Sequence, residues 1–189
     1  NQQNLDKVKI AIIGTGSRGQ RLQRYLMMIP EVEIVALCDV YKPHLDKAHE
    51  ILGRKTKLFT DYKRVLEMND IQGVVIATSL HEHARITIDA LDSGKHVFCE
   101  KAMARYMDDC LAMVEASKQH NRILQIGHQR MFNIKYLKGI ERIKNGDIGK
   151  VVQMRTFWHR NGDWRRNVPS PELERFLNWR LYKEYSCGL

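Results

Sequence analysis

The segment Gly14-Thr15-Gly16-Ser17-Arg18-Gly19 restricts the fold more than any other part of the chain. It follows Val8–Ile13, a β-branched run that reads as a buried strand, and precedes a stretch with apolar residues at helical spacing. That helix is expected over Gln20–Ile29, with Leu22, Tyr25, Leu26 and Ile29 on its inner face and Pro30 ending it. A second strand, Val32–Cys38, closes at Asp39, twenty residues past Gly19. G-x-G-x-x-G alone is a weak signal. Between a strand and a helix, with an acidic residue ending the next strand, it has the full context of a dinucleotide site. Gly14 allows the tight turn, Gly16 the approach of a pyrophosphate to the backbone, and Gly19 close packing of helix on strand. The helix start, with Ser17 and Arg18, offers free N–H groups and partial positive charge to the phosphates. Asp39 would accept hydrogen bonds from the adenosine ribose. Its charge favours NAD, and Lys42 or Arg18 offsetting that charge leaves NADP open. The competing reading of the loop is a glycine-rich turn without a ligand.

The alternation continues. Helices are expected over Pro43–Leu52, Tyr62–Met68, His81–Leu91 and Met107–Gln119, the last with Cys110, Leu111 and Val114 inward. Strands are expected at Lys57–Phe59, Gly73–Thr78, His96–Cys99 and Ile123–Ile126. Apolar strands alternating with helices make a parallel sheet covered on both faces, a doubly wound α/β fold of the NAD(P)-binding Rossmann kind. Six strands place that domain at residues 1–128. A helix over Asn133–Asn145 follows, then a longer strand at Val151–Trp158 with no later strand to complete its sheet. Residues 129–189 therefore read as the incomplete start of a second, α+β domain for substrate and oligomer contacts. Residues 151–189 are expected to be poorly packed or to rely on a partner chain.

Composition excludes little beyond this. The 189 residues carry net charge +9, with 43% hydrophobic and 28% charged residues, an ordinary globular balance. No apolar run reaches the ~18 residues that span a bilayer, so no membrane partner is expected. The basic residues are scattered, with no run of five, so a nucleic-acid partner is not expected either. Cys38, Cys99, Cys110 and Cys187 form no C-x-x-C pair and read as reduced, structural thiols. A cytoplasmic location is expected, with export to the periplasm left open by a first residue other than Met.

Other candidate residues follow strand ends, where ligands sit in such folds. Thr78-Ser79-Leu80-His81-Glu82-His83 closes the fourth strand. His81 reads as a helix-start residue and His83 as a cofactor neighbour; a His pair at i, i+2 lacks the third ligand of a zinc site, so no metal is expected. Glu100-Lys101 closes the fifth strand on the same edge. A lysine at a cleft rim orients a hydroxyl or acts as acid/base when burial lowers its pKa; the bland reading is a surface ion pair.

In order and spacing, these landmarks resemble the Gfo/Idh/MocA family of oxidoreductases. The resemblance rests on GTGSRG at 14–19, CDV at 38–40, ATSLHEHA at 77–84, CEKAMA at 99–104, GHQRMFN at 127–133, GDIGKV at 146–151 and NWRLYKEYSCGL at 178–189. It implies an NAD(P)-dependent enzyme that moves a hydride between nicotinamide and a CH–OH of a sugar, cyclitol or polyol, with homo-oligomeric assembly. It implies that Lys101 is catalytic, that Gln129 and Arg130 enter the second domain near cofactor and substrate, and that Trp179 and Arg180 reach back to the cofactor. The family's Glu-Lys-Pro reads Glu100-Lys101-Ala102, its Thr-Pro reads Thr78-Ser79, and its Gly-Gly reads Cys187-Gly188. The family's acid/base histidine falls beyond Leu189, so a truncated form is expected. The family's Lys-Pro bond is typically cis; with Ala102 in place of proline, a trans 101–102 bond is expected. Specificity is expected to lie outside this chain and in the loop 159–166. Two other functions compete: a non-catalytic nucleotide-binding or regulatory protein, and a methyltransferase, against which Glu100-Lys101 and Trp179-Arg180 argue.

Overall fold

The computed structural model describes residues 7–53, 55–159, 161–162 and 164–187, so Gly188 of the Cys187-Gly188 pair lies outside the described residues. Six parallel strands, β1 (Val8–Ile13), β2 (Val32–Cys38), β3 (Lys57–Phe59), β4 (Gly73–Ile76), β5 (His96–Glu100) and β6 (Leu124–Gly127), form one sheet in the order β3-β2-β1-β4-β5-β6. The doubly wound Rossmann expectation is met, and the order reverses between β1 and β4, where such sheets bind ligands.

Strand alternation explains the two-faced core. Ile10 and Ile12 of β1 pack with Ile34, Leu37 and Val75 against helix α2 (Lys42–Leu52), through Leu45, Ala48 and Leu52. Ala11 and Ile13 point the other way, into a cluster with Val65, Ile76, Ile86, Leu91 and Met113. That second face is covered by α3 (Tyr62–Leu66), α4 (His83–Asp92) and α5 (Met107–Gln119). Gly53 ends α2 in the left-handed conformation at φ +64°, where a side chain would be strained. Cys38 and Cys99 are buried and free, and burial pushes both thiols up to about 12.

Helix α1 spans Ser17–Leu26, three residues earlier than its apolar pattern suggests, because the glycine turn is itself its cap. Its inward residues are Gly19 and Gln23 rather than Tyr25 and Ile29, which are exposed. Gln23 enters the core by donating to the Ala48 carbonyl of α2 at 2.8 Å. In α5 the inward pair is Met113 and Ala116, whereas Leu111 and Val114 face out.

Beyond β6, α6 (Ile134–Lys144) starts at the Asn133 cap, whose side chain accepts from the Lys135 N–H. Residues 151–159 are not a strand. No strand pairs with them among the described residues, and without ladder bonds an extended run has nothing to hold it. Val152 is 88% exposed. Residues 164–187 join neither core cluster, as the expectation of poor packing had it, but polar contacts hold them. They contain two 3₁₀ turns and α7 (Glu174–Leu177), bury Asn178 and Ser186, and return across the sheet edge.

Candidate functional site

The carboxyl ends of β1, β2, β4 and β5 bring the candidate residues to one edge. Gly14 has φ +89°, and a Cβ there would lie 2.6 Å from the Ala77 carbonyl carbon, so only glycine lets the exits of β1 and β4 pass this closely. At Gly16 the nearest protein atom to an added Cβ would be His44 Cε1, 3.5 Å away, an ordinary contact. Protein packing does not demand a glycine there: a Cβ would meet only the edge of the His44 ring, and its absence leaves the backbone bare for a pyrophosphate to approach. Helix α1 presents its first N–H groups to it with no side-chain cap and no acidic residue in the first turn. These residues fit a dinucleotide.

Asp39, at the end of β2, is 9% exposed. Its Oδ2 accepts from the Thr15 N–H at 2.7 Å and the Thr15 hydroxyl at 3.2 Å, and its Oδ1 accepts from the Tyr41 N–H at 2.8 Å. A carboxylate has about four acceptor positions, so room remains for a ribose hydroxyl. His44 Nδ1 stands 3.8 Å from Oδ2, and burial outweighs the pull of Asp39, holding the imidazole below its ordinary pKa. Arg18 does not face a 2′-phosphate: its Nε and Nη2 lie 2.7 and 2.5 Å from Oε1 of buried Glu100. Lys42 pairs with Asp46 at 2.8 Å on the surface. Both cations that would have offset Asp39 are engaged elsewhere, which favours NAD.

Thr78 and Ser79 follow β4. His83 opens α4 with its ring buried, 2% exposed, not presented to the cleft. Nδ1 lies 2.8 Å from the Ala102 carbonyl oxygen and Nε2 3.3 Å from that of Thr78. Burial lowers its pKa against the smaller opposing effects of those carbonyls and Glu100. Lys101 is exposed, one residue past β5. The Lys101–Ala102 bond is cis, which overturns the trans expectation. The Ala102 carbonyl is engaged from α4, by His83. Gln129 is exposed two residues past β6, and Arg130 lies over the rings of Tyr136 and Trp158.

Residues 164–187 form a strap over this edge. Arg166 Nη2 donates to Ser17 Oγ at 3.1 Å, and Phe176 meets the ring of Tyr41 at 6.1 Å between centroids. Tyr185 meets His81 at 4.8 Å, and Arg105 donates to the Lys183 and Glu184 carbonyls. Arg180 lies 4.5 Å over the ring of Trp179, and burial lowers its pKa, with Arg166 adding to the fall and Glu100 opposing it. A groove of about 580 Å³ lined by Ile88, Asp92, Glu115 and His120 lies between the C-terminal ends of α4 and α5, at the opposite edge.

Residues 8–128 match the family described as oxidoreductase family (GFO_IDH_MocA), NAD-binding Rossmann fold. The chain belongs to the Gfo/Idh/MocA oxidoreductase family. Inositol 2-dehydrogenase of Salmonella typhimurium is 32% identical over 149 residues, covering 78% of this Gfo/Idh/MocA chain and 44% of the relative. The crystal structure of myo-inositol 2-dehydrogenase from Lactobacillus plantarum superposes with a TM-score of 0.72 at 32% identity, over 78% of this chain and 44% of that one. Scyllo-inositol dehydrogenase from Lactobacillus casei, solved with NAD(H) and scyllo-inositol, gives 0.71 at 28% identity, over 76% and 43%. The chain thus spans about half the length of the relatives it matches. Among its described residues no helix is long and apolar enough to cross a membrane.

Sequence reasoning missed Thr15, His44, Asn178 and the reach of Arg166. Thr15 lay inside the fingerprint and could have been suspected as the partner of Asp39. Arg166 ends the loop 159–166 and Asn178 begins the motif at 178–189, but neither segment's sequence signals which residues its side chains meet.

Proposed function

We propose that residues 1–128 are the NAD-binding unit, that residues 129–189 begin a substrate and oligomer unit, and that the protein oxidises a CH–OH of a cyclitol or related polyol. The observation that carries this reading is the placement of Lys101. It leaves β5 on the same edge as the glycine loop and Asp39, and the adjoining Glu100 is tied to Arg18 of that loop. The names of the inositol dehydrogenase relatives support the cyclitol class.

NAD, when bound, supplies the acceptor for the hydride leaving the carbinol carbon. The chain's residues do the rest. The loop 14–19 and the start of α1 hold the phosphates, and Asp39 holds the ribose. The Lys101 ammonium donates to the carbinol oxygen and stabilises the negative charge that grows there as the hydroxyl proton passes to water. The Arg18–Glu100 pair fixes the end of β5 to the cofactor loop, which sets the distance between Lys101 and the nicotinamide end. Thr78, Ser79 and Gln129 border the cleft, and Trp179 and Arg180 close it from the strap. Self-association through the exposed apolar residues of α6, including Ile134, Leu137 and Ile140, is the oligomeric part of this reading.

The test pairs calorimetry of NAD with assays of NAD reduction by inositols and hexoses. Lys101→Met should keep NAD binding and lose roughly 100-fold or more in turnover. Failure of the unaltered chain to bind NAD overturns the reading, and turnover indifferent to Lys101→Met removes that residue from the chemistry.

A further inference from the structure

We propose that Arg166 is a cofactor-binding residue, closing onto the start of α1 from the strap and holding the pyrophosphate of the dinucleotide. This rests on the NAD-binding reading above and adds to it a contact from outside the six-stranded unit.

The position of Arg166 is built. Its N–H donates to Asn178 Oδ1 at 2.7 Å, and its carbonyl accepts from Asn178 Nδ2 at 2.9 Å. Asn178 is 3% exposed and also donates to Glu174 Oε2 at 2.9 Å. One buried amide therefore fixes the backbone of Arg166 on both sides, so the guanidinium is mounted on a held base. From that base it spans 149 positions of sequence to reach Ser17 Oγ. Ser17 is the first residue of α1 and follows Gly16, the N-cap, whose backbone carries no side chain.

The charges around it are unbalanced. Among the described residues, neither Arg166 nor Arg180 has a carboxylate within ion-pair distance; the nearby Glu100 is committed to Arg18. Burial is the main reason the pKa values of Arg180 and His44 are lowered, and the positive charge of exposed Arg166 adds to the fall in both, which places the three groups near one another. The facing first turn of α1 contains no acidic residue. Among the described residues, Arg166, beside the uncapped start of α1, and its neighbour Arg180 have no paired anion, and a phosphate can accept two parallel N–H bonds from an arginine fork. The hydroxyl of Ser17 is then a neutral stand-in for a phosphate oxygen. A 2′-phosphate is the weaker match, because Asp39, Tyr41 and His44 mark the ribose end and the hydrogen bond of Arg166 is to Ser17 at the start of α1.

The experiment measures equilibrium binding of NAD, ADP, adenosine and NADP to the unaltered chain and to Arg166→Gln. A charge-assisted hydrogen bond to phosphate corresponds to about 10- to 100-fold in affinity. NAD and ADP, which share the pyrophosphate, should each weaken by that factor while adenosine stays within about 2-fold. Adenosine serves as the folding control, since a collapsed cleft would lose it too. Unchanged NAD and ADP binding overturns the proposal while leaving the NAD reading intact. Equal loss of adenosine, or a loss confined to NADP, overturns it in favour of a structural or 2′-phosphate role. An unaltered chain that binds neither NAD nor ADP defeats the cofactor reading itself.

Discussion

Asp39 directs three hydrogen bonds inward, to Thr15 and Tyr41, before any ligand arrives. Asp39→Ala therefore removes a brace of the glycine loop together with a ribose partner. Leaving the buried Thr15 N–H unpaired costs about 1–3 kcal/mol of stability. NAD affinity should fall roughly 10- to 100-fold and the margin over NADP should narrow, as read by calorimetry with both cofactors. Equal or better NAD affinity in that variant removes Asp39 from the site. His83 carries a second prediction. Its folded pKa is depressed, so the unfolded chain takes up the proton first as pH falls. The stability it contributes is complete above its unfolded value of ~6.5 and is lost as pH drops through the folded value. Burial shifts His44 and His81 the same way, which adds to the slope. Melting temperature should fall from about pH 7.5 to pH 5, with a shallower fall in His83→Gln. A flat profile in the unaltered protein would show that these rings do not gain protons on unfolding.

The strap, residues 164–187, is an element without regular periodicity, held by a few polar anchors rather than by an apolar face. Asn178→Ala breaks three of its hydrogen bonds at a buried position, so hydrogen exchange should accelerate across 164–187 and stay unchanged in β1, β2 and β4. Uniform acceleration through the sheet would mean that the strap is part of the core. The contrast also explains which parts of the molecule were legible from sequence. The strands of the sheet announced themselves through β-branched runs, and the glycine loop through its spacing, because local geometry demands those residues. The inner face of α1 was read correctly at Leu22 and Leu26, which pack on the core, but not at Tyr25 and Ile29, because polar Gln23 takes the inward position and donates its Nε2 to Ala48. The inner face of α5 was misread because exposed Leu111 and Val114 mimic a core stripe. Val151–Trp158 had strand-like residues, but strand formation depends on a neighbour that periodicity cannot supply. The reach of Arg166 was illegible for a different reason: its loop was marked for specificity, but Ser17 lies 149 positions away and shares no pattern with it.

At the scale of the molecule, stability resides in the sheet and the helices that sandwich it. Ile12 is fully buried between β1 and α2, so Ile12→Ala should cost about 2–5 kcal/mol in denaturant unfolding. A loss below 1 kcal/mol would show that the two faces repack freely. The loop-to-strap contact matters in time as well as in space. Arg166 and Ser17 are 149 positions apart, and Arg105 meets its carbonyl partners across 78 and 79. Ends brought together over such separations close late, because chain entropy opposes them until the rest is in place. During synthesis the residues up to Gly127 emerge first, and domains fold as they emerge. The nucleotide cradle therefore begins its existence open on one side, able to admit a cofactor before the arginine that closes over it has been translated.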